Sequence, residues 1–312
     1  MHDPVIDRPG RRRSRAVRAA IGADLAALHD GVAHRRDLRV AGLSRHDVQS
    51  ELNAGRWTRG GRHTVVIGTV APSGRAQLWQ AVWESGSGAV LDGAAALVAA
   101  GLRRFDLDQI DVSIPAANRH HAVAGVRLHR PRSTGPVISV GVPRVRPEVA
   151  AIRAAAWATS DRQAALLVCL VLQQRLTTPE RLLDAWRSTS RSRRREFLDT
   201  VIRDVCDGAH SLGELDFGRL CRARGLPAPS RQVVRTLPGG RVYLDVAWEG
   251  IGLVVEIDGG HHLWALTPID DAIRQNDVVL TGEAVLRIPV LGLRLAPDRF
   301  MDQVERGHDR AA

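Results

Sequence analysis

The chain has no lysine. All 44 basic side chains among its 312 residues are arginine, set against 34 Asp and Glu for a formal net charge of +10. Arginine stays protonated at any ordinary pH, so phosphate-loop lysine chemistry, Schiff-base chemistry and every other lysine-dependent step are excluded. A Lys-free, Arg- and Ala-rich composition is also what a GC-rich genome writes, so composition alone names no partner. Cysteine is scarce: Cys169, Cys206 and Cys221 show no CxxC spacing, which argues against a disulfide framework and a zinc site. Cys169 reads as a small buried hydrophobe inside the run Ala164–Leu172. That run is the longest apolar one and is too short to span a bilayer. The opening residues, Met1 to Pro9, lack the apolar stretch of a secretory signal. A cytoplasmic protein with no membrane partner is expected. Gly86-Ser87-Gly88 lacks the third glycine of a dinucleotide fingerprint, so no small-molecule cofactor is expected. His120, His121 and His129 have no carboxylate or cysteine at ligand spacing and read as surface residues.

What is present is positive charge, and its usual partner is nucleic acid. The pattern predicts an α+β protein in five segments. Residues 1–14 read as a disordered basic arm, with Arg11, Arg12 and Arg13. In residues 15–70 a helix carries Val17, Ile21, Leu25 and Leu28 on one stripe. A short helix follows over Arg35–Ala41, and then Ser44 caps Arg45–Asn53, closed by Gly55. Arg56 to Ile67 reads as a hairpin around Gly60-Gly61. Three helices and a hairpin make a winged helix-turn-helix. Its third helix would enter the major groove of DNA, and its Arg-rich wing would lie on phosphates. Arg45, Arg56, Arg59 and Arg62 are the expected DNA contacts. The Leu38-x-x-x-Gly42-Leu43-Ser44 step and Gly55-Arg56-Trp57 resemble the winged helix of AbiEi-type antitoxins.

Residues 71–145 form a mixed α/β region with helices over Arg75–Trp83 and Gly93–Gly101 and strands over Asp111–Ile114 and Val126–His129. Pro131 to Pro147 reads as linker. Residues 146–208 are a helical connector, with Arg153–Leu172 and Pro179–Trp186 helical and a basic run over Arg187–Arg195. Residues 209–306 carry the chemistry. A helix from Ser211 to about Arg224 holds Glu214, and Ser211-x-x-Glu214 is equally a capping box. Strands follow over Arg231–Arg235, Arg241–Ala247 and Leu253–Asp258, and a last one over Val285–Pro289 completes the sheet.

If Gly250 and Ile251 are the central turn residues, counting outward sets Asp245 opposite Glu256. Strand alternation then puts Asp245, Glu256 and Asp258 on one face. The other face holds Val242, Leu244, Val246, Leu253, Val255 and Ile257, an apolar set for packing on a helix. Clustered carboxylates repel unless a cation sits among them, and all-oxygen ligation suits a hard divalent ion, Mg²⁺ or Mn²⁺. A basic protein with such a site points to metal-assisted phosphodiester hydrolysis.

Asp245, then Glu256-x-Asp258-Gly259-x-His261 on a hairpin after a Glu-bearing helix, resembles the PD-(D/E)XK nuclease superfamily. It is most similar to the branch of very-short-patch-repair (Vsr) endonucleases, over about Ser211 to Val304. The resemblance implies a restriction-endonuclease-like α/β/α domain with a mixed sheet and metal-dependent DNA cleavage. It implies Glu214 as the first-helix acid and Asp245 and Glu256 as metal ligands. The superfamily's lysine position falls on Asp258, which the metal set here includes. His261 or His262 would position water or act as base, and Arg274 would stabilise phosphorane charge. Gln232 reads either as a bridge to the site or as an ordinary strand residue. The competing reading is a non-catalytic DNA-binding regulator of antitoxin type that keeps a degenerate nuclease fold.

Overall fold

In a computed structural model, the chain is described over residues 13–117, 122–206, 210–237, 240–258 and 284–312. Side chains are not described at 210–216, 231–237, 240–245, 258, 289–291 and 294. The protein is α+β and divides into two units, Met1–Ala150 and Ala151–Ala312. Among the described residues, no helix is long and apolar enough to cross a membrane.

The first unit opens with α1 (Arg15–Leu28), β1 (Val32–His34), α2 (Arg35–Val40), α3 (Arg45–Asn53), β2 (Thr58–Arg59) and β3 (Thr64–Val66). Ser44 and Asp47 form a reciprocal capping box that starts α3 at the expected residue. Leu38, Leu43, Val48, Trp57 and Val65 are all buried and pack together, with Ile21 and Leu25 against them. The apolar stripe expected on α1 is only half right: Val17 is 40% and Leu28 70% exposed, while Arg18 and Gly22 face inward. The reason is Trp57, whose ring lies where a side chain at position 22 would stand. The sheet order is β1-β3-β2, so the hairpin gains a third strand that the sequence pattern does not announce.

The rest of this unit comprises α4 (Arg75–Ser85), β4 (Val90–Leu91), α5 (Gly93–Ala99), β5 (Ile110–Ser113), β6 (Val126–His129), β7 (Val137–Ile138) and β8 (Arg144–Val145). The strands join in the order β6-β5-β4-β8-β7. The stretch expected as linker therefore supplies two strands; its prolines flank them, where no ladder N–H is needed. His129 is not a free surface residue: its Nε2 lies 2.7 Å from Oδ1 of Asp111, which Arg127 also grips from Nε at 2.7 Å. Strand pairing of β5 with β6 brings these groups together, which chain spacing hides. His120 and His121 lie outside the described residues.

The remaining helices are α6 (Pro147–Trp157), α7 (Asp161–Gln173), α8 (Pro179–Arg187), α9 (Arg195–Cys206) and α10 (His210–Ala223). The single helix expected over Arg153–Leu172 is broken before α7, where Ser160 caps the new start through Gln163 N. Cys169 is half-buried rather than fully buried as expected, and burial still pushes its thiol up to about 11. A mixed sheet follows: β9 (Ser230–Leu237), β10 (Gly240–Trp248), β11 (Leu253–Asp258) and β12 (Ala284–Pro289), ordered β12-β11-β10-β9. α11 (Val290–Leu295) and α12 (Pro297–Ala311) end the chain.

One face of this sheet is the core of the second unit. Val246, Trp248, Leu253, Val255, Ile257 and Ile288 pack with Phe217 and Cys221 of α10 and Met301 and Val304 of α12. Met301 and Val304 are three apart, so both fall on the inward face of α12. A side chain as buried as Leu253, at 0% exposure, contributes about 2 kcal/mol. Arg224 fastens α10 to α12 through Asp298, Asp302 and Glu305 at 2.8, 2.8 and 3.1 Å.

Candidate functional site

The first unit presents arginines from three elements. Arg45 is the exposed first residue of α3, Arg59 is exposed on β2, and Arg62 is exposed in the turn that follows. Arg35, the first residue of α2, belongs with them although its position in the sequence did not mark it. Its backbone N–H donates to His63 O at 2.8 Å, which ties α2 to the hairpin. Burial lowers the guanidinium pKa of Arg35 from its usual value, and the nearby charges of Arg59 and Arg45 lower it further against an opposing pull from Glu84. Arginines that repel one another across three elements form a surface that favours an anion.

Two side chains of α4 hold the turn of the hairpin. Glu84 accepts from the backbone N–H of Arg62, His63 and Thr64, each at 2.8 Å, and from Thr64 Oγ1 at 2.7 Å. Gln80 donates to Gly60 O. A Cβ at Gly61 would overlap the Glu84 carboxylate, so glycine here is what admits the clamp. The turn of the hairpin is therefore anchored rather than loose.

Arg56 is placed differently. Its Nε donates to Glu51 Oε2 at 2.5 Å and its Nη2 to Oε1 at 3.0 Å. Arg18 donates to the same carboxylate from Nε at 2.6 Å. Glu51 is 1% exposed. Hydrogen bonds from Arg56 lead the effects that bring its pKa down to about 2, against burial, which alone would raise it. Arg56 thus closes a buried ion network under α3 and keeps part of its side chain at the surface. The exposed side of α3 also carries His46 and Asn53, and Asn53 Oδ1 accepts from Gln49 at 2.6 Å.

In the second unit, β10 and β11 pair as Val246↔Val255, Ala247↔Val254 and Trp248↔Leu253. The connection is a 3-10 turn over Glu249–Ile251 with Gly252 at φ 62°, not the two-residue turn expected, yet the register is the expected one. Carried one residue further, it sets Asp245 opposite Glu256. The β9–β10 register, Leu244↔Val233 and Val246↔Arg231, brackets Asp245 and sets it opposite Gln232. β12 runs parallel to β11 with Glu256↔Arg287 and Asp258↔Pro289. Core burial of Val255, Ile257 and Ile288 fixes the alternation, so positions 245, 256, 258 and 287 share the opposite face.

Glu256 is 5% exposed. Its Oε2 lies 3.1 Å from Arg287 Nη2, an ion pair across the two strands. Arg287 Nε and Nη2 are buried and make no hydrogen bond among the described residues, so the contact is close in distance without the alignment of a fork. Arg287 is the site residue that sequence reasoning left as a plain strand residue. The one available signal was its odd parity in a strand whose even positions, Leu286 and Ile288, are apolar.

Glu214 lies on α10 and Asp245 and Asp258 on their strands, with side chains that are not described. His261, His262 and Arg274 lie outside the described residues. Among the described residues, no three His, Cys, Asp or Glu side chains gather as a metal site would require. Of the expected ligands, only Glu256 has a described side chain.

No family model matches the chain, and no curated protein matches it. Among solved structures, the RV2827C protein from Mycobacterium tuberculosis is similar at 19% identity, over 62% of this chain and 80% of that one, with a TM-score of 0.37. A likeness at that level carries no argument about function.

Proposed function

We propose that the protein binds DNA through its first unit and hydrolyses DNA phosphodiester bonds in its second, using Mg²⁺ or Mn²⁺. The observation that supports this best is the hairpin register. Extended one residue beyond Val246↔Val255, it would bring positions 245 and 256 face to face, with 258 on the same side, on a sheet whose other side packs into the core. A donor set made only of carboxylates fits a hard divalent ion. Asp245, Glu256 and Asp258 would hold it, and when bound it would neutralise charge at the scissile phosphate. His261 or His262 would take a proton from the attacking water, Arg274 would face the developing phosphorane charge, and Glu214 would support the ligands from α10. Arg35, Arg45, Arg59 and Arg62 would neutralise backbone phosphates. The test is plasmid nicking with Mg²⁺ or Mn²⁺. Asp245→Ala should abolish cleavage and leave the gel shift intact; cleavage that survives this change, or persists in EDTA, refutes the reading.

One observation favours a second reading. Glu256 already has a cation from the protein itself in Arg287. A fold that no longer needs a metal would satisfy its carboxylate in this way. The protein would then be a non-catalytic DNA-binding regulator of antitoxin type. A purified protein that shifts its own promoter DNA but cuts no DNA with any divalent ion decides for it.

A further inference from the structure

We propose that Arg287 is the resident counter-cation of the acidic sheet face, and that a divalent ion binding there competes with it for Glu256. This rests on the metal-site reading above and adds the residue that sets the affinity of the site.

The Glu256 side chain is 6% exposed, and an ionised carboxylate that far from water is costly without a cation. The described residues supply that cation from the neighbouring strand, at the directly paired register position. Ile288 in the core and Leu286 packed against it hold β12 in the alternation that sends residue 287 to the acidic side. The placement is therefore built into the sheet and does not depend on a flexible surface arginine.

The form of the contact matters as much as its presence. A bidentate Arg–carboxylate fork would lock both oxygens. Here Nη2 and Oε2 stand 3.1 Å apart, and neither Nε nor Nη2 makes a hydrogen bond among the described residues. The pair is held by charge more than by aligned donors, so the guanidinium can give up an oxygen to a stronger cation. An ion liganded by Glu256 would be repelled by the neighbouring guanidinium. Even at the dielectric constant of water, a double and a single charge about 5 Å apart repel enough to weaken binding about tenfold. Among the described residues, Arg287 is a cation that an incoming metal would meet at this carboxylate.

The test uses the full chain without DNA, titrated with Mn²⁺ and read by the resonance signal of the free ion. Arg287→Gln should bind Mn²⁺ about tenfold more tightly than wild type. Arg287→Lys keeps the charge and should stay within about threefold of wild type. In EDTA, Arg287→Gln should melt several degrees below wild type and recover when Mn²⁺ is added. Suppose Asp245→Ala abolishes Mn²⁺ binding but Arg287→Gln binds no more tightly than wild type: the counter-cation proposal then fails and the metal site stands. If neither wild type nor Arg287→Gln binds Mn²⁺, the metal site and the competition fail together. Should Arg287→Gln not fold, a tenfold gain in Arg287→Lys overturns the proposal by itself, since the charge would not have been the cause.

Discussion

Replacing Glu51 by Gln tests what holds α3 in place. The carboxylate is 1% exposed and accepts from Arg18 and Arg56 at 2.5 to 3.0 Å. Its pKa falls from 4.5 to about 2 in the folded protein. At about 1.36 kcal/mol per pH unit, that difference is worth about 3 kcal/mol. Arg56 is 37% exposed, and solvent screening on that side reduces the figure to roughly 2 kcal/mol. Because the folded value is depressed, the contribution is complete above pH 4.5 and is lost as the pH falls toward 2. Urea unfolding at pH 7 should show Glu51→Gln less stable by roughly 2 kcal/mol. The gap between the two proteins should fall to under half of that by about pH 3. A cost below about 0.5 kcal/mol at pH 7, or an equal cost at both pH values, would refute the assignment of Arg56 to this network.

Gly22→Ala places a methyl 2.5 Å from Trp57 Cζ2. Overpacking of about 1–3 kcal/mol should outweigh the gain of about 1 kcal/mol in helix propensity; a stabilised variant in the same urea assay contradicts the packing described. The N-cap of α2 predicts a pH effect, because His34 Nδ1 accepts from Arg36 N at 2.9 Å and only the neutral ring can do so. Burial leads the effects that lower the His34 pKa from 6.5, so its contribution is complete above 6.5 and is lost as the pH falls through the lower folded value. His34→Asn keeps a capping acceptor without titrating, and should remove about 1 kcal/mol of the acid-side loss seen by thermal unfolding; identical pH dependence in both proteins rules the cap out as its source.

Much of the local structure follows from short-range pattern. Ser44 and Asp47 start α3, and Gly55, at φ 66°, accommodates the turn that ends it. The hairpin of β10 and β11 keeps its register even though its turn differs from the one expected, because one slip would turn Val246, Val255 and Ile257 out of the core. Other features needed the fold. β1 is three residues that mean nothing until β3 lies beside them. The inward face of α1 turns on Trp57, thirty-odd positions away. His129 looked solitary because Asp111 reaches it only through a parallel pairing.

The same division applies to the lysine that the chain lacks. Composition by itself determined that no lysine stands on this sheet, and strand alternation assigns positions 245, 256 and 258 to one side of it. Only the tertiary structure decided that Arg287 stands beside Glu256. A hairpin register is set by a turn of a few residues. A parallel neighbour such as β12 arrives after residues 259–283, and its register is fixed by packing Leu286 and Ile288 against a core assembled from distant helices.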